Sequence, residues 1–518
     1  MDLELEIFRN LFVSIAEEMG TVLRRTSFSP NIKERRDYSC AVYDRYAETI
    51  AMGDHMPVHL GAMPTSVTES LSAQKLEIGD VVILNDPFCG GTHLPDITSV
   101  SAVFQDNEPE PVYYLATRAH HSDVGGMAPG SMPPATEIFQ EGTRIPPVKI
   151  VRKGVIDEDI LNLVLLNSRT PEERRGDIGA QLAAHSVGER RLTHATNKYG
   201  IEEIQEQMVA LKNYSERLMR NSLTQIPNGV YEFEDFLDDD GFGSERIRVH
   251  CTLTIEENKV RVDFCNSAAQ TRGGINANRA IATAATMYTF RCLIHDDVPY
   301  NAGMLRPVEI ITQKGSLLDP LPPASVAAGN VETSQRVVDV LLGALSKAIP
   351  NRIPAASAGT MNNLAFGGLD SRSGESFAYY ETIGGGMGAG FNSPGLDACH
   401  THMSNSLNTP VEALERELPV KIRQYAIAPE SSGKGRYRGG SGVIKEFEFM
   451  TETDVSILSD RRTFAPYGLE NGGVGQRGKN LLNGQILPGK TRFQAKPGDR
   501  LRIETPGGGA HGGSTSDG

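Results

Sequence analysis

The chain has 518 residues, of which 39% are hydrophobic and 22% are charged, and its formal net charge is −14. This length predicts two or three domains with substantial cores. The negative charge and the lack of a long basic run argue against nucleic acid or an anionic membrane as the main partner. No apolar run approaches the roughly 20 residues that span a bilayer, and the acidic N-terminus is unlike a secretory signal.

The cysteines are scattered along the chain and form no C-x-x-C pair. They are Cys40, Cys89, Cys251, Cys265, Cys292 and Cys399. Such a pattern is typical of reduced thiols, so we expect a cytoplasmic protein.

Hydrophobic spacing predicts a helix and then a series of strands in the N-terminal part. Apolar side chains recur at helical intervals over residues 3–24, with acidic residues between them. Residues 38–43, the segment VVILNDP from Val81, and the segments ITSVSAVF and PVYYLATRA are typical of strands. The loop AMGDHMPVHLGAM leads into a helix predicted near residues 62–74.

Residues 157–225 are predicted to be helical. Thr170, Pro171 and Glu173 form a helix start signal with Thr170 as the cap. Gly200 divides the stretch into two long helices, whose charged faces are typical of solvated surface.

Strand patterns return from Gly229. The segments RIRVHCTLTI and KVRVDF flank a polar turn at residues 256–258 and predict a hairpin. Helices are predicted near residues 277–294 and 331–348, and the last hundred residues are rich in strands and glycine.

Together these elements predict a mixed α/β (α+β) fold with several layers of sheet, a long helical insertion and a strand-rich C-terminal part. We expect four parts. They are an N-terminal α/β part (1–156), a helical segment (157–228), a central α/β part (229–420) and a β-rich, glycine-rich part (421–518).

Two H-x-x-D patterns lie in glycine-rich loops at the ends of predicted strands. His93 and Asp96 lie in NDPFCGGTHLPDITSV, and His120 and Asp123 lie in ATRAHHSDVGG. The neighbouring glycines allow the backbone to pass close to an ion or a substrate.

An antiparallel hairpin brings these patterns together. If the two strands between them turn about residues 107–108, Asp96 lies roughly opposite Ala119. His93 and Asp96 then meet His120 at one edge of a sheet. Two imidazoles and a carboxylate suit divalent Zn, Mn or Fe, although ordinary hydrogen-bonded loop histidines remain the alternative.

Six long segments resemble the hydantoinase B/oxoprolinase family, in the family's order, from about residue 3 to the tail TPGGGAHGG. They are KERRDYSCAVYD, HMPVHLGAM, NDPFCGGTHLPDITSV, RAHHSDVGG, GNVETSQRVVDVLLGAL and HMSNSLNTPVEALERELPV. The family includes the B-type subunits of N-methylhydantoinase and of related ATP-dependent lactamases. It also includes the C-terminal half of 5-oxoprolinase and a subunit of acetone and acetophenone carboxylases.

The resemblance implies a hetero-oligomer in which two subunits divide the reaction. A hydantoinase A-type partner binds ATP with Mg and phosphorylates a carbonyl oxygen, and the B-type subunit holds a divalent metal and completes the reaction. The ligands that the resemblance implies are Asp37, His93, Asp96 and His120, with His121 as a competing choice at the fourth position.

The favoured function is therefore hydrolysis of a small cyclic amide, such as a hydantoin, 5-oxoproline or another lactam, with ATP bound by the partner. A metal that lowers the pKa of water can supply the nucleophile, and His121 and Asp123 are candidates for relaying protons. Two alternatives remain open. One is a subunit of an ATP-dependent ketone carboxylase, and the other is a non-catalytic scaffold whose metal stabilises the fold.

Three further polar segments are candidates for a pocket lining. The segment YETIGGGMGAG around Glu381 lacks the Lys-Ser/Thr of a P-loop, so close backbone packing is the favoured interpretation. The amides and hydroxyls of residues 402–410 either bind a polar substrate or build a turn. Asn330, Glu332 and Gln335 open a predicted helix, where Glu332 complements the helix dipole in the simplest interpretation.

Overall fold

The computed structural model describes residues 3–53, 55–105, 108–294 and 300–513. The α-helices in these ranges are α1 (Leu3–Thr26), α2 (Pro30–Lys33), α3 (Pro57–Leu60), α4 (Met63–Ala73), α5 (Glu158–Leu165), α6 (Pro171–Tyr199), α7 (Ile201–Leu223), α8 (Arg279–Arg291), α9 (Ser334–Ala348) and α10 (Val411–Glu417). A π-helical turn, Gly329–Thr333, leads into α9. None of these helices is long and apolar enough to cross a membrane.

The strands form four sheets within the described residues. Those of the first half are β1 (Tyr38–Asp44), β2 (Thr49–Met52), β3 (Val81–Leu84), β4 (Asp96–Val103), β5 (Tyr113–His120), β6 (Val148–Arg152), β7 (Val155–Ile156), β8 (Gly229–Asp239), β9 (Glu245–Glu256) and β10 (Lys259–Asp263). Those of the second half are β11 (Val308–Ile311), β12 (Asn363–Leu369), β13 (Ser376–Glu381), β14 (Val420–Ala428), β15 (Gly442–Phe449), β16 (Thr453–Leu458), β17 (Lys479–Leu482), β18 (Gln485–Leu487), β19 (Lys490–Ala495) and β20 (Arg500–Glu504).

The sheet orders are β2-β1-β5-β4-β3-β6-β7, β11-β10-β9-β8, β13-β12-β16-β19 and β14-β15-β20-β17-β18. This arrangement confirms the predicted mixed α/β fold with several sheets. The third sheet pairs β12 with β16, and these strands lie on opposite sides of the predicted boundary after residue 420. The division of the chain into four parts stays a prediction.

Helix α1 and the long helix α6 cover the seven-stranded sheet, because each presents an apolar face to it. Phe12, Ile15 and Met19 of α1 are fully buried and pack with Leu115 of β5 in one core cluster. A larger core surrounds α8 and α9 and the sheet of β8–β11. Strands β1, β4 and β5 in the middle of the sheet are thus buried, and His93 and His120 at their ends lie inside the protein.

The helical insertion has the two long helices that the sequence predicts, and they are divided at Gly200 as expected. Thr170 occupies the N-cap position directly before Pro171, as predicted, but its hydroxyl makes no capping hydrogen bond among the described residues. The backbone of Thr170 has φ −128° and ψ 66°, outside the extended region that a capping residue adopts. Its own N–H donates to the Ser168 hydroxyl at 3.2 Å.

Strands β4 and β5 form the predicted antiparallel pair. Asp96 lies directly opposite His120, one position from the expected Ala119. The predicted turn at Asn107 lies outside the described residues. This register places Asp96, at the start of β4, beside His120, at the end of β5. Both H-x-x-D loops therefore lie at the same end of these two central strands.

Candidate metal centre

The loop before β4 is held closely on both sides, and this places His93. A Cβ atom on Gly91 would lie 2.1 Å from the carbonyl oxygen of Asn85, so only glycine fits there. The Asn85 amide donates to the carbonyl oxygen of Leu94 at 2.7 Å, and the Asn278 amide donates to that of Gly91 at 2.7 Å. The imidazole that follows is therefore fixed by its backbone.

His93, Asp96 and His120 offer ligand atoms that all lie within 4.8 Å of one another. Oδ1 of Asp96 lies 3.1 Å from Nε2 of His93 and 3.3 Å from Nδ1 of His120. All three side chains are buried. The expected meeting of the two loops is confirmed, while the metal itself stays a prediction.

His59 of α3 is a fourth polar group at this cluster. Its Nε2 lies 3.5 Å from Oδ2 of Asp96, and its Nδ1 shares a hydrogen bond with the Ser39 hydroxyl at 2.8 Å. Sequence reasoning missed this residue. The signal was present, because His59 lies in HMPVHLGAM, one of the segments that resemble the family.

Several buried atoms at the cluster have no hydrogen-bond partner among the described residues. They are Oδ1 of Asp96, Nε2 of His59, Nε2 of His120 and Oδ1 of Asn330. Buried polar atoms are rarely left without a partner. Two of these are imidazole nitrogens and two are oxygens, a donor set that suits a divalent transition metal. The residues present therefore fit a bound cation.

The charges of the cluster depend on one another. Burial alone raises the pKa of Asp96, but the charges of His93 and His59 outweigh it and hold that pKa well below its usual value. Burial likewise lowers the pKa of His93, yet the Asp96 carboxylate more than compensates and raises it. For His120 burial dominates, and its pKa is lowered. These shifts favour the ionised form of Asp96 and the neutral form of His120.

Asp37 lies beside the cluster just before β1. Its carbonyl oxygen accepts the backbone N–H of His120 at 3.0 Å, and its charge favours the protonated forms of His93 and His120. Its carboxylate is outside the group whose ligand atoms lie within 4.8 Å of one another. The assignment of Asp37 as a metal ligand stays a prediction.

The neighbouring His121 contacts a different part of the protein. Its Nε2 forms a hydrogen bond with Oε1 of Gln181 on α6 at 3.0 Å. Burial, reinforced by the Arg174 charge, lowers the pKa of His121 to about 4. The structure thus groups His120, not His121, with the other candidate ligands.

Asp123 has its carboxylate engaged away from the cluster. Its oxygens accept the backbone N–H groups of Gly125, Gly130 and Arg169 and the guanidinium of Arg169, at 3.0–3.2 Å. These contacts order the loop after β5. The structure does not bring Asp123 into contact with His93 or with the other candidate ligands, and a proton-relay role for it stays a prediction.

Asn330, in the π-helical turn, is the pocket candidate that reaches the cluster. Its amide nitrogen lies 3.1 Å from Nε2 of His93 and 3.5 Å from Oδ2 of Asp96. The Nδ1 atom of His93 lies 3.3 Å from the carbonyl oxygen of Ala327. If Nδ1 carries the proton that this carbonyl accepts, the lone pair of Nε2 faces the cluster.

Glu332 does more than complement a helix dipole. It is buried, and its Oε1 accepts the Asn363 amide at 2.7 Å. Asn363 in turn accepts the hydroxyl of Tyr380 at 2.8 Å. The ring of Tyr380 stacks on His120, so these residues form a continuous support behind one candidate ligand.

The glycine-rich segment around Glu381 packs backbone against backbone, as predicted. A Cβ atom on Gly388 would lie 1.8 Å from the carbonyl oxygen of Ala355. Glu381 itself is buried in an ion pair with Lys445, at 2.7 and 2.9 Å, and accepts the Asn408 amide. These contacts are structural and do not form a phosphate cradle.

The segment 402–410 lies between the glycine-rich loops and α3. His402 and Ser404 line a cavity of about 420 Å³ together with Cys292 and Cys399. Gln335 of α9 donates to the carbonyl oxygen of Thr401, also in this lining, at 3.0 Å. All six cysteines are free thiols, as expected.

Comparison with known proteins identifies the family of this chain. The sequence profile described as Hydantoinase B/oxoprolinase matches residues 1–514. The chain belongs to the hydantoinase B/oxoprolinase family. This family member is 38% identical to an uncharacterized protein of Methanocaldococcus jannaschii, over 98% of the chain and 90% of that protein.

Other relatives have names that state an activity. The chain is 39% identical to 5-oxoprolinase 1 of Arabidopsis thaliana, over 98% of its own length but only 42% of that protein. It is 30% identical to a putative D-/L-hydantoinase B-type subunit of a Pseudomonas species, over 96% of the chain and 88% of that protein. The chain therefore spans about two fifths of the 5-oxoprolinase and most of the bacterial hydantoinase protein.

Two solved structures share the fold. The crystal structure of the ATP-dependent caprolactamase of Pseudomonas jessenii superposes with a TM-score of 0.91 at 28% identity, over 99% of this chain and 91% of that one. Acetone carboxylase superposes with a TM-score of 0.89 at 17% identity, over 98% of this chain and 75% of that one. The second likeness is one of fold.

Proposed function

We propose that this chain is the metal-binding B-type subunit of an ATP-dependent cyclic amidohydrolase. The observation that carries the proposal is the buried group of His93, Asp96 and His120 in a member of this family. Oδ1 of Asp96 and Nε2 of His120 have no hydrogen-bond partner among the described residues. The substrate class is a small lactam or hydantoin, in line with the names of a caprolactamase and a hydantoinase among the similar proteins.

His93, Asp96 and His120 would hold the divalent cation. His59 lies beside them, with its Nε2 3.5 Å from Oδ2 of Asp96, and Asp37 is the further ligand that the family resemblance implies. A divalent cation supplies Lewis acidity toward a carbonyl or phosphoryl oxygen and lowers the pKa of water. Asp96 supplies a carboxylate in a buried site, where electrostatic interactions are strong. The Asn330 amide lies 3.1 Å from Nε2 of His93 and would be free to donate to a substrate oxygen once that nitrogen binds the cation.

An A-type partner that binds ATP with Mg and phosphorylates the amide oxygen completes the proposal. An unstrained amide resists attack by water, and phosphorylation of its oxygen creates a better leaving group. The Pseudomonas relative is named as one of the subunits of a hydantoinase, which supports a separate partner chain. The chain itself lacks a P-loop pattern.

A ketone carboxylase subunit is the second candidate. The likeness to acetone carboxylase extends to 75% of that chain, against 91% of the caprolactamase. The likeness to the carboxylase rests on the fold alone. We therefore prefer the amidohydrolase. A scaffold whose metal only stabilises the fold is the third candidate, and it is separated from the others by activity.

The deciding experiment is co-expression with an A-type subunit followed by an ATP-dependent screen of lactams, hydantoins and ketones. Ring opening that needs ATP, both subunits and an intact His93 is the expected result. Carboxylation of a ketone would favour the second candidate. A fully assembled His93→Ala complex that lacks metal and stays as active as wild type would favour the scaffold. The isolated chain should not bind ATP with micromolar affinity in calorimetry.

A further inference from the structure

A cavity of about 660 Å³ opens beside the C-terminal end of α1. Its lining is charged, and most of it comes from the first 55 residues. The charged residues are Glu17, Arg24, Arg25, Lys33, Glu34 and Arg36. The remaining lining residues are Thr21, Tyr38, His55, Asn405 and Leu407.

The charge of this cavity is opposite to that of the whole chain. It has four cationic side chains and two carboxylates, in a protein whose formal net charge is −14. One carboxylate, Glu17, lies 3.7 Å from His55. Within the described part of the chain, none of the four cations forms an ion pair with a carboxylate, and Nε of Arg24 donates to the backbone carbonyl oxygen of Lys33 at 3.1 Å. Concave surfaces that concentrate one sign of charge attract ions of the other sign.

Helix geometry explains only part of this concentration. Arg24 and Arg25 lie in the last turn of α1, where cations complement the helix dipole. Arg36 lies outside any helix and has a φ of 59°, in the left-handed region that non-glycine residues rarely adopt. Lys33 adds a further cation from the short helix α2. The cations converge from three backbone segments.

The cavity and the candidate metal centre lie on either side of the same backbone segment. Arg36 and Tyr38 line the cavity, and Asp37 between them is buried against the cluster. Tyr38 pairs with Ala119 of β5, next to His120, and the carbonyl oxygen of Asp37 accepts the N–H of His120. One three-residue segment thus separates a cationic cavity from the buried ligands.

We propose that this cavity binds the phosphoryl group of a small phosphorylated substrate on its way to the cluster, a role that rests on the proposed function. Arginine and lysine are the side chains that proteins use to hold phosphate oxygens, arginine with two parallel hydrogen bonds. The cavity retains the anionic intermediate beside the cluster and limits its escape to water.

The first test titrates inorganic phosphate into the full chain by calorimetry at constant ionic strength. We expect wild type to bind phosphate and the double variant Arg24→Gln/Lys33→Gln to bind at least tenfold more weakly. The matched control is Arg190→Gln/Lys421→Gln, which removes the same charge from exposed positions outside the cavity. Arg36→Asn is the second variant, since asparagine tolerates a positive φ.

Absence of phosphate binding by wild type, or equal weakening in the control double variant, would overturn the inference. The second test measures ADP formed per ring opened in the complex with an A-type subunit. We expect this ratio to rise severalfold in the cavity variants, because the phosphorylated intermediate escapes. An unchanged ratio overturns the role in transfer. A complex without ATP-dependent ring opening would refute the proposed function, while phosphate titration still decides the cavity.

Discussion

The ring of Tyr380 stacks on the imidazole of His120, with the ring centroids 4.4 Å apart and the planes 12° from parallel. Its hydroxyl donates to Asn363, whose amide is held by Glu332. Tyr380 belongs to β13 of the third sheet and His120 ends β5 of the first, so the stack joins the two sheets. The stack restricts the rotation of the His120 side chain.

Tyr380 should therefore act as a positioning residue for the metal. We expect Tyr380→Ala to weaken the binding of a divalent ion by about 10–100-fold, as loss of supporting contacts around a metal ligand does. Tyr380→Phe keeps the ring and should change affinity only a few-fold. Competition with a chromophoric chelator measures both. Equal losses in the two variants would assign the effect to the hydroxyl.

The candidate ligands make a direct prediction about metal content. Wild type purified without chelator should hold about one divalent ion per chain, because the buried side chains offer nitrogen and oxygen ligands. Asp96→Ala and His120→Ala should lose most of it, as measured by elemental analysis. His121→Ala is the matched control, because His121 contacts Gln181 instead, and it should retain the ion. Full occupancy in the Asp96 variant contradicts the assignment.

The buried ion pair between Glu381 and Lys445 predicts a large stability effect. Both side chains are completely buried, and Glu381→Gln leaves the lysine charge unpaired. We expect a loss of about 3–5 kcal/mol in the free energy of unfolding, measured with urea. The control is Glu77→Gln, which breaks the exposed pair with Lys153 and should cost at most about 1 kcal/mol. Similar small losses in both variants would mean that Lys445 finds another partner or loses its proton.

His185 predicts a loss of stability in mild acid. It is buried on α6 between the hydroxyls of Ser99 and Ser101, and burial lowers its pKa to about 4 from 6.5. The unfolded chain then binds a proton more readily than the folded one between these values. Protonation of His185 therefore leaves the free energy of unfolding unchanged above pH 6.5. It lowers that free energy by about 3 kcal/mol as the pH drops toward 4.

Urea unfolding across this pH range measures the effect. His185→Gln should lower stability at neutral pH but flatten its decline in acid. His194→Gln, at an exposed position on the same helix, should decline as wild type does. If the His185 variant declines as steeply as wild type, other groups account for the acid sensitivity.

Local patterns were enough to predict most elements of this fold. The apolar spacing of α1, the division of two helices at Gly200, and the pairing of β4 with β5 all depend on residues close in sequence. The pairing of the two strands also brought His93 and Asp96 to His120. The Thr170 hydroxyl makes no capping bond among the described residues, because the backbone at Thr170 is outside the extended conformation that capping requires.

The sequence by itself thus determined the family, the mixed α/β class and the meeting of two H-x-x-D loops. Only the tertiary structure decided that His120 and not His121 faces the cluster. Successive residues of an extended chain point to opposite sides, and the register sets which of them is inside. It also decided that His59, Asn330 and Tyr380 surround the ligands. These residues come from segments far apart in sequence, and they meet because burial of the apolar faces of their segments packs those segments together.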